Sequence, residues 1–154
     1  MVDLKYPTQS YLRCAGSLGW AFPASLGAKC AMPDRPVVCF TGDGGFWYHL
    51  SELETAARYG INAVIVVNNN SSLNQEKRAN ERAYEGRSGN SDELWRFTEV
   101  NFAQIARDMG CFGVRVESPG QIREALEQAL ASGKPAVVDV VTDVEGIAPR
   151  AWSG

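Results

Sequence analysis

One acidic residue stands between glycines in Thr41-Gly42-Asp43-Gly44-Gly45-Phe46, and three carboxamides, Asn68-Asn69-Asn70, follow after an amphipathic segment and an apolar run. Glycines let a backbone come close to phosphate oxygens and adopt positive φ where needed. Phosphate sites often add Lys or Arg, yet neither stretch contains one. A diphosphate bound here needs its charge met by something else, and a hard divalent cation meets it. Mg²⁺ takes an octahedron of oxygens. The Asp43 carboxylate, an Asn carboxamide oxygen, a backbone carbonyl, diphosphate oxygens and a water complete one. A neutral Asn suits the second position, because a second carboxylate would repel the anion. His49, the only histidine, lies a helical turn beyond the loop and reads as a packed or surface residue rather than a ligand.

Gly-Asp-Gly-Gly alone is an ordinary turn, and Asn-rich triplets are common in loops. A hairpin turn would need a strand after Gly45, whereas Leu50, Leu53 and Ala57 give helical spacing as far as Tyr59, with Gly60 as the stop. The apolar runs 37–41 and 63–67 read as short, fully buried strands of a parallel sheet, each ending at one of the two loops. Ligands of such sheets bind at the carboxyl ends of strands. The first loop also leads into a helix, whose N-terminal N–H groups suit an anion.

The remaining elements have to hold these two loops. Leu18, Phe22, Leu26 and Cys30 recur every fourth residue and predict a tightly packed helix over 16–31. Gly16, Gly19 and Gly27 weaken it and read as places of close approach. Residues 71–92 are polar and of mixed charge, which predicts a short solvated helix and then a mobile loop at 86–90. Phe102, Ile105, Ala106 and Met109 mark a helix stopped at Gly110, and a strand follows at 114–116. Ser118 and Pro119 open a helix with Ile122, Leu126 and Leu130 on its inner face. Residues 136–141 are the last strand. The alternation predicts an α/β fold, a three-layer α/β/α sandwich with a mainly parallel sheet. Residues 1–13 read as an arm or linker, 14–145 as the domain and 146–154 as a tail.

The 154 residues suffice for one domain, and 45% hydrophobic with 21% charged residues reads as globular. A net charge of −3 with scattered basic residues argues against nucleic acid or an anionic membrane as a partner. No run reaches the length of a spanning helix. Cys14, Cys30, Cys39 and Cys111 form no CxxC pair and read as reduced, buried thiols of a cytoplasmic protein.

Gly42-Asp43-Gly44 with Asn69-Asn70 resembles the Gly-Asp-Gly…Asn-Asn motif of thiamine diphosphate enzymes. Gly16-Ser17-Leu18-Gly19-Trp20-Ala21-Phe22-Pro23-Ala24 and Met32-Pro33-Asp34-Arg35 resemble further segments of that family, and the likeness covers most of residues 11–142. It is greatest to the diphosphate-binding domain of acetolactate (acetohydroxyacid) synthases and related 2-oxoacid decarboxylases. The resemblance implies that Asp43 and Asn70 ligate Mg²⁺ by side chain and Ser72 by its carbonyl, with Asn69 a structural residue at the strand end. It implies N–H groups of Gly44 and Gly45 on the diphosphate and a Gly16 carbonyl on the aminopyrimidine. Leu18 becomes the bulky residue that keeps the cofactor bent, against a plain core role as the alternative. Ser17, Gly42 and Leu73 complete the implied cofactor-binding set. Two departures stand out: Gly45 where Ser is usual, and Phe46-Trp47-Tyr48-His49 in place of the synthases' polar pair after Phe.

Family members activate the cofactor with a glutamate on a separate pyrimidine-binding domain, usually from a neighbouring subunit. Glu52 and Glu54 follow the metal loop on the diphosphate side and cannot replace it. No catalytic residue is therefore expected in this chain, which by itself is expected to be inert. It is also expected to need a pyrimidine-binding partner domain or subunit, to form homo-oligomers, and to serve a small 2-oxoacid substrate. A piece of a longer synthase, a natural subunit of a split decarboxylase and a non-catalytic interaction module all fit these features. The intact Asp43/Asn70 pair speaks against the last.

Overall fold

The computed structural model describes residues 4–13 and 16–146. Cys14 and the Ala151-Trp152-Ser153-Gly154 end lie outside the described residues. Residues 4–13 contain no helix or strand and are exposed. Four strands follow, β1 (Val38–Gly42), β2 (Val64–Asn69), β3 (Phe112–Val116) and β4 (Ala136–Val141). They form one parallel sheet in the order β1-β2-β4-β3. The β-branched runs Val64-Ile65-Val66-Val67 and Val137-Val138 fill its centre, where such side chains pack well.

The helices are α1 (Ala21–Ala31), α2 (Asp43–Trp47), α3 (Glu52–Tyr59), α4 (Lys77–Tyr84), α5 (Phe102–Asp108) and α6 (Ile122–Ala131). Their ends follow local chemistry. Gly60 closes α3 at φ 63°, and the Asn101 side chain caps α5 by accepting from the Gln104 N–H at 2.8 Å. The Gln121 side chain accepts from the N–H groups of Glu117 and Ser118, each at 3.1 Å, at the entry to α6.

The sheet divides the core. On one face α1, α2, α3 and α5 bury Phe22, Phe46, Leu53 and Phe102 against Ile65, Val67 and Val137. On the other, Ala125 and Ala129 of α6 sit on Val64, Val138 and Val116. This is the expected three-layer arrangement. Phe46 packs between Phe22 and Phe102, tilted against the first and edge-on to the second, with ring centroids 5.2 and 5.3 Å away. Each buried ring contributes roughly 1.5–3 kcal/mol, so this cluster anchors the start of α2 beneath the glycine loop.

Five expectations need correction. β1 is not buried on both faces: it is the sheet edge, and Val38 and Phe40 are 51% and 72% exposed on the side α6 does not reach. The first helix begins at Ala21, because Gly16 and Gly19 take φ of 84° and 86°; its inner face is Phe22, Ser25, Leu26 and Lys29. The segment after the glycine loop is two helices, joined at 48–51 by tighter bonds such as His49 N–H to Phe46 O and Glu52 N–H to His49 O. Leu130 is exposed, since Ala125 and Ala129 carry the inner face of α6. Of the described cysteines, Cys39 and Cys111 are buried, but Cys30 on the outer face of α1 is not.

Candidate functional site

β1 and β2 run side by side with Gly42 opposite Asn68, so the glycine loop and the asparagines leave the sheet together at its carboxyl end. Asp43 opens α2 and is 2% exposed. Its Oδ1 accepts from the Gly44 N–H at 2.8 Å and its Oδ2 from the Ser72 N–H at 3.0 Å. The Asn70 Oδ1 accepts from the Ser72 hydroxyl at 2.8 Å. Asp43, Asn70 and Ser72 thus meet in one hydrogen-bonded group. Burial pushes the Asp43 carboxyl above its ordinary range, while the N–H groups of Gly44, Ser72 and Ser71 pull the other way. No Lys or Arg pairs with Asp43 among the described residues.

The second loop turns on Ser71, whose φ of 54° is the only positive value at a non-glycine among the described residues. Asn69 holds that turn, its Oδ1 accepting from the Ser71 N–H at 3.3 Å. Asn69 is 3% exposed, and its amide nitrogen donates to Val100 O and Asp139 Oδ1, both at 2.9 Å. The segment 95–97 fastens the loop from outside, with Leu73 N–H bonded to Trp95 O and Phe97 N–H to Ser71 O, each at 2.7 Å.

Residues 16–20 lie along the first loop. A Cβ on Gly19 would fall 2.8 Å from Tyr48 Cβ and 3.1 Å from Gly45 O, which explains the glycine. Half-buried His49 packs there too, its Cδ2 2.9 Å from that position. Gly16 and Ser17 are exposed at the near end of this turn. Leu18 is 53% exposed with its Cδ1 directed at Gly45, so it is not a core leucine. A Cβ on Gly44 would meet Leu73 Cδ2 at 2.5 Å, and one on Gly45 would stand 3.0 Å from Thr41 Oγ1. The unusual glycine at 45 therefore goes with the threonine beside it. An open cleft of about 630 Å³ borders these loops, lined by Gly44, Trp47, Tyr48, Leu73, Arg96 and Phe97 among others.

The donor set around Asp43 suits a divalent cation and a diphosphate. It offers one carboxylate, carboxamide, hydroxyl and carbonyl oxygens, two glycines on a helix start, and no Lys or Arg paired with the carboxylate among the described residues, which is the chemistry Mg²⁺ and a polyphosphate require. No group of three or more His, Cys, Asp or Glu that could hold a metal ion exists among the described residues, and in this set Asp43 is the one such residue, beside carboxamide, hydroxyl and carbonyl oxygens. The residues fit. Sequence reasoning missed Asp139, Arg115 and the 95–97 segment. A lone carboxylate in the apolar run Ala136-Val137-Val138-Asp139-Val140-Val141 was the available signal.

A parallel α/β sheet with paired loops at its carboxyl end, one glycine-flanked acid facing carboxamides, defines a diphosphate-binding domain. The sequence model described as "Thiamine pyrophosphate enzyme, C-terminal TPP binding domain" matches residues 2–140. The chain belongs to that family. It is 35% identical over 130 residues to the acetolactate synthase large subunit of Haemophilus influenzae, covering 84% of this chain and 22% of that protein. To a probable acetolactate synthase of Mycobacterium bovis it is 37% identical, covering 88% and 24%. Among solved structures, the thiamine diphosphate-dependent 4-hydroxybenzoylformate decarboxylase of Rhodococcus jostii RHA1 superposes with a TM-score of 0.70 at 29% identity, covering 82% of this chain and 23% of that one. The chain is an acetolactate synthase-like thiamine pyrophosphate-binding domain that spans about a fifth to a quarter of the length of these relatives.

Proposed function

We propose that this chain is the diphosphate- and Mg²⁺-binding half of a thiamine diphosphate enzyme acting on 2-oxoacids, by decarboxylation and carboligation as in acetolactate synthesis. One observation carries the reading: two strand-end loops converge on a buried carboxylate that pairs with no Lys or Arg among the described residues. In it Asp43 and Asn70 hold the metal by side chain and Ser72 by its carbonyl. Gly42, Gly44 and Gly45 let the backbone approach the diphosphate. Gly16, Ser17 and Leu18 face the aminopyrimidine end, with Leu73 closing over Gly44. When bound, the cofactor supplies a thiazolium carbon that serves as nucleophile and electron sink for 2-oxoacid chemistry. The residues of this chain bind, orient and neutralise.

The base that activates the pyrimidine belongs, in this reading, to a separate pyrimidine-binding domain of the same enzyme or of a partner subunit. Leu18, Trp20, Trp47 and Tyr48 are 53%, 37%, 38% and 62% exposed beside the loops, an apolar rim of the kind a partner covers. Self-association and a cytoplasmic location belong to the same reading; no helix of the described residues is long and apolar enough to cross a membrane.

Calorimetry with Mg²⁺ and thiamine diphosphate on the chain and on Asp43→Ala tests the site. The expected result is weak, measurable binding by the parent chain and none by the variant. Equal, non-zero affinity in both overturns the metal assignment. Pyruvate decarboxylation by the purified chain well above background overturns the dependence on another domain.

A further inference from the structure

Asp139 is fully buried within β4. Its Oδ2 accepts from Arg115 Nη1 at 2.9 Å and from the Phe102 N–H at 3.0 Å; its Oδ1 accepts from the Asn69 amide at 2.9 Å. Burial works against the charge on Arg115, but Asp139, Glu117 and Glu99 outweigh it, so the guanidinium is held more firmly charged than usual. The carboxylate is thus fixed in place by a strand, a helix start and a cation.

Asn69 passes that fixity on. Both hydrogens of its amide nitrogen are used, on Asp139 and on Val100 O, so only one orientation of the side chain satisfies the network. That orientation aims Oδ1 at the Ser71 N–H, at the single non-glycine residue with left-handed backbone among the described residues. A serine gains nothing from this conformation by itself, and it persists only where its surroundings impose it. The turn brings the next residue back over the first loop, where the Ser72 N–H reaches Asp43 Oδ2 and the Ser72 hydroxyl reaches Asn70 Oδ1.

We propose that Asp139 and Asn69 are positioning residues, a buried strut that imposes the left-handed turn at Ser71 and so sets Ser72 against Asp43 and Asn70. The proposal rests on reading those three as the metal cradle, but the strut can be tested without any metal.

Amide hydrogen exchange at Ser72 reports the turn directly, and Mn²⁺ paramagnetic resonance with thiamine diphosphate reports the cradle. Asn69→Ala and Asp139→Asn are expected to weaken both Ser72 protection and Mn²⁺ affinity by about 10-fold or more, the scale on which partners one step removed from a metal act. Ser71→Gly added to Asn69→Ala is expected to restore both, because glycine takes positive φ unaided, while the lowered urea midpoint of Asn69→Ala stays low. A role confined to general stability predicts no rescue, and that result overturns the proposal. Should Asn69→Ala fail to fold, Ser71→Val in the otherwise native chain decides: a β-branched residue resists the turn, so unchanged Ser72 protection refutes the strut. If Asp43→Ala leaves Mn²⁺ binding intact, the functional reading fails while the Ser72 exchange still judges the strut.

Discussion

Two aspartates are almost lost from solvent, Asp43 at 2% and Asp139 at 0% exposure, and the chain treats them in opposite ways. Asp139 receives a guanidinium, a carboxamide and a helix-start N–H. Asp43 receives backbone N–H groups and, among the described residues, no cation. Burying an ionised carboxylate is costly unless charge and hydrogen bonds compensate it. The first is compensated from within and belongs to the framework. The second is compensated in half, and on the reading proposed above the remainder comes from a bound metal.

If that contrast is right, the two sites respond differently to truncation. Asp139→Ala leaves Arg115 without its buried partner and strands two donors, and it is expected to lower stability by about 3–5 kcal/mol, measured by urea unfolding at neutral pH. A loss under about 1 kcal/mol would mean that Asp139 is not what holds this end of the sheet. Next in size is ligand-linked stabilisation. Mg²⁺ with thiamine diphosphate at about 100 times the dissociation constant adds about 2.7 kcal/mol to the parent chain by mass action, and should add nothing to Asp43→Asn. Equal shifts in both would remove the contrast.

A smaller effect concerns pH in the absence of metal. The folded-state pKa of Asp43 is raised above the unfolded value, chiefly by burial. Its contribution to stability is therefore fully present below the unfolded carboxylate pKa and is lost as pH rises through the folded one. Asp43→Asn has no such titration. The stability of the variant relative to the parent should accordingly grow from pH 4 towards neutrality, read from urea midpoints at each pH. A difference that is flat, or that shrinks, means the carboxylate is better compensated than its contacts show.

The half of the contrast to which the proposed reading assigns the chemistry was legible in the sequence, and the half that supports it was not. Asp43 announces itself through its glycines and through the apolar strand before it, and 68–70 through the strand they end. Both signals are local. Asp139 finds its partners 70 and 24 residues away, at Asn69 and Arg115, and no local pattern states such a pairing. Sheet class followed from the buried β-branched runs, but the exposure of Val38 and Phe40 followed from β1 lying at an edge, which depends on strand order. Leu130 departs from the expected inner face for a simpler reason. Eight residues on from Ile122 an ideal helix has turned about 80° past two full turns, which takes Leu130 off the face that Ala125 and Ala129 bury.

The smallest expected effect isolates burial from charge, because one guanidinium serves both kinds of partner. Arg115 reaches buried Asp139 through Nη1 at 2.9 Å and Glu99 through Nη2 at 2.8 Å, and the Glu99 side chain is 76% exposed. Distance alone would rank the two pairs as equals. Solvent screening and the entropy of holding a free side chain reduce the exposed pair to about 0–1 kcal/mol. Glu99→Gln should therefore shift the urea midpoint barely, and less still at high salt, while leaving Ser72 exchange unchanged. A loss comparable with that of Asp139→Ala would show that the network acts as one unit, with its outer carboxylate as necessary as its inner one.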